Sequence, residues 1–380
     1  MRKLNIVLIN SSGISHEYGI GSYINQLRSG LIKHKNLNVI NVDVTFEEVG
    51  NISVTKKNDT ELKININNKF EGEDTTSSIS KTVFYLILLN SKINNGIFHI
   101  NGHWDLGLGR VAKENGFKVI LTQHVNFIDN EIFRSLITII DGCIFLNEGT
   151  RKRFIKEFQF PFDRTTLILN GISWKFKTSS KRILKKKYGF QNKDFIFLFV
   201  GRIDPTKGIY ELVEAFKLFS KDSTNKKLII VGKGNYNEVF KISKNQLNNI
   251  LFTGHINKQV LSEIYKIADV GVLPSYSEQS SFAVIEMIHN NLPLILSDIE
   301  GFEVYQKDEV IKTKISLKDD EKRVDIDYLK NNLDLVYNDP NIRKKLVKNT
   351  EKYKLKVNNL EYMTTKIINF YFEIFSVNTN

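Results

Sequence analysis

Short apolar runs that end in glycine, histidine or asparagine recur along this chain, and the series starts twice. LNIVLI at residues 4–9 leads into the polar, glycine-bearing SSGISHEYGIGS, then a helix-like YINQLRSGLIKH and a second apolar run, NLNVINVDV. GIFHING, KVILTQHVN, DGCIFLN and TTLILNGI follow, closing near His124, Asn147 and Asn170-Gly171. DFIFLFVG then restarts the series, and IYELVEAFKLFS, NKQVLSEIYKIAD and SFAVIEMIHNN read as helices between KKLIIVGKG, NILFTG, VGVLPS and LPLILSD. Apolar strands alternating with amphipathic helices predict parallel sheets covered on both faces, with ligands at the carboxyl ends of the strands. The expected fold class is α/β: two Rossmann-like parallel-sheet domains facing an interdomain cleft. Residues 1–172 and 173–358 form the two domains, and residues 359–380 form a helix that packs back on the first. Alternating residues around KKNDTE predict an inserted hairpin near 51–69, and residues 80–93 predict a helix.

A length of 380 residues suits two domains, and 41% hydrophobic with 25% charged residues suits a folded protein. TVFYLILLNSKI is about half the length of a membrane-spanning helix, and the first apolar run reads as a strand rather than a signal peptide. One cysteine, Cys143, excludes an internal disulfide and fits a reducing compartment, so a cytoplasmic location is expected. The formal charge is +12, with six Lys or Arg between residues 177 and 187 and seven between 343 and 356. Such clusters favour anionic partners, and peripheral contact with an anionic membrane at its inner face is expected. No zinc-finger cysteines or aromatic nucleic-acid motif accompany them, so nucleic acid is not expected.

The chemistry concentrates after the strands. Arg202 and Lys207 follow FLFVG, where a planar fork and a compact charge suit phosphate oxygens. Gly208 permits a tight turn there. Gly232 in VGKGN allows close backbone approach. Glu278 follows VLPSYS and is placed to accept hydrogen bonds from sugar hydroxyls. Gln279, Ser280, Ser281 and Phe282 precede or open a helix whose free N–H groups suit an anion. Glu286, eight residues after Glu278, is expected on roughly the same helix side, reaching ribose hydroxyls. Gly19 and Gly21 bring the first loop close to a ligand. His124 ends a strand of the first domain. His16, His103, Trp104 and Asn170 are weaker candidates, on the acceptor side. No metal is expected: Asp325 and Asp327 lie in a charged surface segment, and His99 and His103 lack helical spacing for zinc.

Gly19-Ile20-Gly21, His124, Asn170-Gly171-Ile172, Gly201-Arg202 through Lys207-Gly208, and Glu278 through Glu286 occur in this order. In them the chain resembles retaining nucleotide-sugar glycosyltransferases of the GT-B fold and GT4-like family. The resemblance implies transfer of a hexose or N-acetylhexosamine from a UDP-sugar, or else a GDP-sugar, without a cofactor. It implies that Arg202 and Lys207 hold the diphosphate, Glu278 the sugar, and Glu286 the ribose. His124 would contact the donor sugar near the reacting centre. The implied acceptor is a glycan or lipid-linked glycan in surface polysaccharide synthesis. A protein or peptide acceptor and a non-catalytic partner protein of the same fold are the alternatives. Many relatives carry a glycine soon after the first glutamate, where this chain has Gln279-Ser280-Ser281.

Overall fold

The computed structural model describes residues 3–11, 19–47, 52–58, 60–67, 73–102, 105–124, 134–135, 137–244, 247–318 and 321–376. The chain divides into two units, Met1–Gly171 with Leu360–Asn380, and Ile172–Asn359.

The first unit contains β1 (Leu4–Asn10), α1 (Ile20–Leu31), β2 (Leu37–Glu47), β3 (Ser53–Asn58), β4 (Glu61–Asn67) and α2 (Glu73–Ser91). β5 (Ile97–Ile100), α3 (Asp105–Glu114), β6 (Lys118–Gln123), β7 (Gly142–Phe145), α4 (Glu148–Phe158) and β8 (Thr165–Leu167) complete it. The sheet order is β3-β4-β2-β1-β5-β6-β7-β8. β3 and β4 form an antiparallel ribbon, and β4 joins β2 in parallel. The other pairs are parallel, and β1, first in the chain, lies between β2 and β5. Strand order therefore reverses at β1/β5, the position where open α/β sheets leave a ligand crevice.

The C-terminal helix, Leu360–Ser376, packs on α1 within this unit. Its Tyr371 is buried and its hydroxyl lies 2.5 Å from His99 Nδ1 on β5. The TTLILNGI strand is shorter than its apolar run predicts. β8 stops at Leu167, which is exposed, and Ile168 N adds one further bond to Phe145 O at 3.0 Å.

The second unit opens with α5 (Lys181–Lys187), β9 (Phe195–Val200), a 3-10 turn at Pro205–Lys207, α6 (Ile209–Ser220) and β10 (Lys226–Val231). α7 (Tyr236–Ser243), β11 (Ile250–Gly254), α8 (Lys258–Ile267), β12 (Val270–Leu273), α9 (Phe282–His289), β13 (Leu294–Ser297) and β14 (Ile311–Thr313) follow. A hairpin of β15 (Ile315–Lys318) and β16 (Glu321–Val324) precedes α10 (Ile326–Asn338) and α11 (Pro340–Lys352). The six-stranded sheet is parallel, in the order β11-β10-β9-β12-β13-β14. Its central strands are apolar throughout because both faces are covered: Ile196, Phe197, Leu198 and Phe199 are all buried. Here the order reverses at β9/β12.

Asp325 is the N-cap of α10 and accepts a hydrogen bond from Tyr328 N at 2.9 Å, which gives this acidic segment a structural role. Much of the basic cluster at 177–187 is committed internally. Lys181 pairs with Asp269 at 2.7 Å, Lys187 with Glu263 at 2.5 Å, and Lys185 donates to Asp194 O at 2.5 Å while buried. Lys181 and Lys187 keep much of their side chains exposed within these pairs, and Lys185 is the buried cation of the three. Among the described residues, no helix is long and apolar enough to cross a membrane.

Candidate active site

The loops after β9 and β12 meet at the strand-order reversal of the second unit. Asp204 caps the 3-10 turn by accepting from Thr206 N at 3.0 Å, which sets Lys207 at the turn's end. Gly208 follows at φ +62°, and a Cβ there would sit 2.1 Å from Pro274 O. Only glycine allows this contact between the two loops. Tyr276 N then donates to Thr206 O at 2.8 Å and holds them in register. The product is an ion pair across the reversal: Lys207 Nζ lies 2.6 Å from Glu278 Oε1, with both side chains largely buried. Arg202, at the end of β9, remains 64% exposed, with Nη2 3.4 Å from Asp204 Oδ2. Its fork is open to an anion from solvent.

The helix carrying Glu286 begins at Phe282, not at Glu278. The two-turn reading of the Glu278–Glu286 spacing is thus corrected: half of that interval is loop, so helical periodicity does not set the two side chains on one face. Ser281 is the N-cap of α9 but makes no side-chain capping hydrogen bond. The first-turn N–H groups, beginning at Phe282, therefore receive no side-chain cap from it. Ser280 lies in the preceding loop. Glu286 accepts from Tyr265 Oη at 2.8 Å. Glu286 is partly buried, and desolvation of its carboxyl pushes the pKa up to about 7 despite the Tyr265 hydrogen bond and the nearby Lys258.

In the first unit, Gly19 precedes α1 at φ +50°, and Gly21 is buried in the first turn. His124 lies just past β6. Its Nε2 is 3.2 Å from Asn101 Oδ1, and Tyr23 meets its ring edge-on at 4.5 Å. Burial lowers its pKa to about 3. Asn170 is buried at the end of the unit. His99 lies inside the fold, bonded to Tyr371 and, through Nε2 at 2.7 Å, to Thr122. His16, His103 and Trp104 lie outside the described residues. Sequence reasoning missed Asn101 and Tyr265. Asn101 ends the GIFHIN run, so the rule that strand ends carry chemistry could have found it. Tyr265 carried no signal, because its partner lies on another helix.

Residues 180–353 match the family described as Glycosyl transferases group 1. The match lies within the second unit, Ile172–Asn359, and covers less than half of the chain. An alpha-monoglucosyldiacylglycerol synthase of Acholeplasma laidlawii is 27% identical over 57% of this chain and 62% of its own. A UDP-Gal:alpha-D-GlcNAc-diphosphoundecaprenol alpha-1,3-galactosyltransferase of Escherichia coli is 30% identical over 50% of each chain. The chain thus spans about half the length of the curated relatives it matches. Across 99% of the chain, the fold is similar to that of sucrose-phosphate synthase from Thermosynechococcus elongatus, covered in full, with a TM-score of 0.79 at 18% identity. The fold is GT-B.

Within the second unit, Gly232 shows how tightly the strand ends are built. It sits at φ +152°, and a Cβ would lie 1.7 Å from Gly201 O, next to Arg202. Gly232→Ala must displace one of two adjacent strand ends, because backbone cannot yield as a flexible side chain does. The expected result is a fall in Tm of at least roughly 5 °C, read by circular dichroism. A wild-type Tm would show that the two strands separate freely here.

Proposed function

We propose that the chain transfers a hexosyl or N-acetylhexosaminyl residue from a UDP-sugar to a glycan or lipid-linked glycan, with retention of anomeric configuration. The observation that carries this reading is the Lys207–Glu278 pair at the β9/β12 reversal. A sugar nucleotide presents an anion and a hydroxyl-rich ring a few ångströms apart. A paired cation and carboxylate in a ligand crevice match those two ends. Arg202 and Lys207 would take the diphosphate, with the α9 amino end beside them. Glu278 would accept from sugar hydroxyls, and Glu286 from ribose hydroxyls. Negative charge grows on the departing phosphate, so fixed cations there lower the barrier.

In the proposed step the anomeric carbon–phosphate oxygen bond breaks. The acceptor oxygen bonds to the same face, and its proton passes to the leaving phosphate. No metal or cofactor enters this account. The UDP donor and lipid-linked acceptor are favoured by the Escherichia coli relative, whose name carries both. The glycolipid synthase supports an acceptor at a lipid surface. Lys344, Lys345 and Lys348 on α11 are exposed and would face anionic lipid in that case.

The test is a donor panel of UDP-glucose, UDP-galactose, UDP-N-acetylglucosamine and GDP-mannose, each offered with lipid-diphosphate-linked saccharides. Release of UDP and a product heavier by one sugar are expected, with the new anomeric proton matching the donor's configuration by NMR. Neither turnover nor calorimetric binding of any donor would reject the reading.

A further inference from the structure

The run TVFYLILLNSKI, too short to span a bilayer, lies largely in α2, and only part of it goes into the core. Val83, Phe84 and Ile87 are buried, in one core with Leu62, Ile64 and Ile66 of β4. The opposite side of a helix that covers a sheet is ordinarily polar. Here it carries Tyr85, 53% exposed, and Leu89, 75% exposed, four residues apart and so neighbours on one face. Lys81, one turn before Tyr85, and Lys92, just past the helix, are exposed at either end of this pair. Lys56 on β3 is also exposed, and it donates to Asn90 O at 3.3 Å, next to Leu89 in the chain.

The charge around the pair has one sign. Residues 75–95 contain no Asp or Glu. Glu61, at the start of β4, is taken up by Arg28 and Lys57. Size and composition together select the partner. A stable protein interface buries roughly 800 Å² a side, and its core is depleted of lysine. Two apolar side chains ringed by lysines fall far short of that. They suit the boundary of an anionic bilayer, where leucine enters the acyl region, a tyrosine ring sits at headgroup level and lysine stems reach the phosphates.

We propose that the outer face of α2 is a docking surface for an anionic lipid bilayer. Tyr85 and Leu89 are its apolar anchor, and Lys56, Lys81 and Lys92 are the cations that meet the headgroups. The use of such docking rests on the lipid-linked acceptor proposed above. The docking itself needs no sugar nucleotide and is read without one.

The protein is sedimented with vesicles of phosphatidylcholine alone and of phosphatidylcholine with an equal part of phosphatidylglycerol. The wild type should bind the anionic vesicles only, and less as salt rises. Tyr85→Ser/Leu89→Ser and Lys81→Glu/Lys92→Glu should each weaken binding by roughly tenfold or more. Both should melt as the wild type does, because all four side chains are exposed. Cys143 is buried and is the single cysteine, so Leu89→Cys offers one accessible thiol for an environment-sensitive fluorophore. Its emission should shift to the blue on anionic vesicles and not on neutral ones. The proposal is overturned by a wild type that binds no anionic vesicles, by wild-type affinity in either double variant, or by a label whose emission does not move. A dimer that Tyr85→Ser/Leu89→Ser separates, seen by analytical ultracentrifugation, also overturns it, in favour of a second copy of this chain. If the vesicles bind as expected and no sugar is transferred, the reading of the chemistry falls alone.

Discussion

Arg202→Ala and Lys207→Ala are each expected to lower kcat by roughly 10²-fold or more, with a smaller change in KM. The charge on the leaving diphosphate is greatest as the anomeric bond breaks, so a cation there matters more in the transition state than in the bound substrate. The structure separates the two variants. Arg202 is largely exposed and holds Asp204 only loosely, at 3.4 Å, so its loss should leave stability within about 0.5 kcal/mol of wild type. Lys207 is the partner of a mostly buried carboxylate. Removing it strands Glu278, and a stranded charge costs more than the pair was worth. Lys207→Ala should therefore also lower Tm, and Lys207→Ala/Glu278→Gln should recover part of that fall while remaining inactive. Steady-state kinetics with thermal melts read both effects. Wild-type turnover in both single variants would remove these residues from the proposed chemistry.

This pair also marks the limit of what the sequence makes legible. Strand-end position is local information: FLFVG and VLPS are apolar runs that stop at charged residues, so Arg202, Lys207 and Glu278 could each be singled out. Their contact depends on the sheet order, which sets β9 beside β12, and no local pattern encodes that neighbour. α6 was readable because its amphipathic run lies between Gly208 and a lysine-rich end. α3 was hidden because Gly107 and Gly109 sit inside it. Glycine lowers helix propensity, yet a Cβ at Gly109 would press on the Val119 side chain at 3.2 Å, so close packing against β6 favours the residue that disguises the helix. The hairpin of β15 and β16 and the two helices after it were concealed by charge. The ion pairs of Lys181 and Lys187 were hidden because their acidic partners, Asp269 and Glu263, lie far along the chain.

Glu286 is expected to impose a pH dependence on donor use. Burial holds its pKa at about 7 in the free protein, and only the carboxylate is a full acceptor for two ribose hydroxyls. The profile of kcat/KM against pH reports groups of the free enzyme, so it should rise with pH through about 7 and level off above. Glu286→Gln should abolish that limb and lower UDP affinity by roughly 10- to 100-fold, the weight of charge-assisted hydrogen bonds. Stability should move the opposite way. A carboxyl whose pKa is raised from 4.5 to about 7 on folding is held more tightly as the protonated form. Its contribution is fully present below about pH 4.5 and lost as pH rises through 7. Glu286→Gln carries no such loss, so its Tm should exceed that of the wild type at pH 8 and match it near pH 4.5. A binding group that destabilises the empty protein at working pH is what a site kept for a ligand predicts. Calorimetry with UDP at pH 6 and 8, with melts of both proteins, tests each half separately. Undiminished UDP affinity in Glu286→Gln would remove Glu286 from the nucleotide site. A wild-type kcat/KM that stays flat from pH 6 to 8 would mean that the carboxyl is already ionised when the donor arrives.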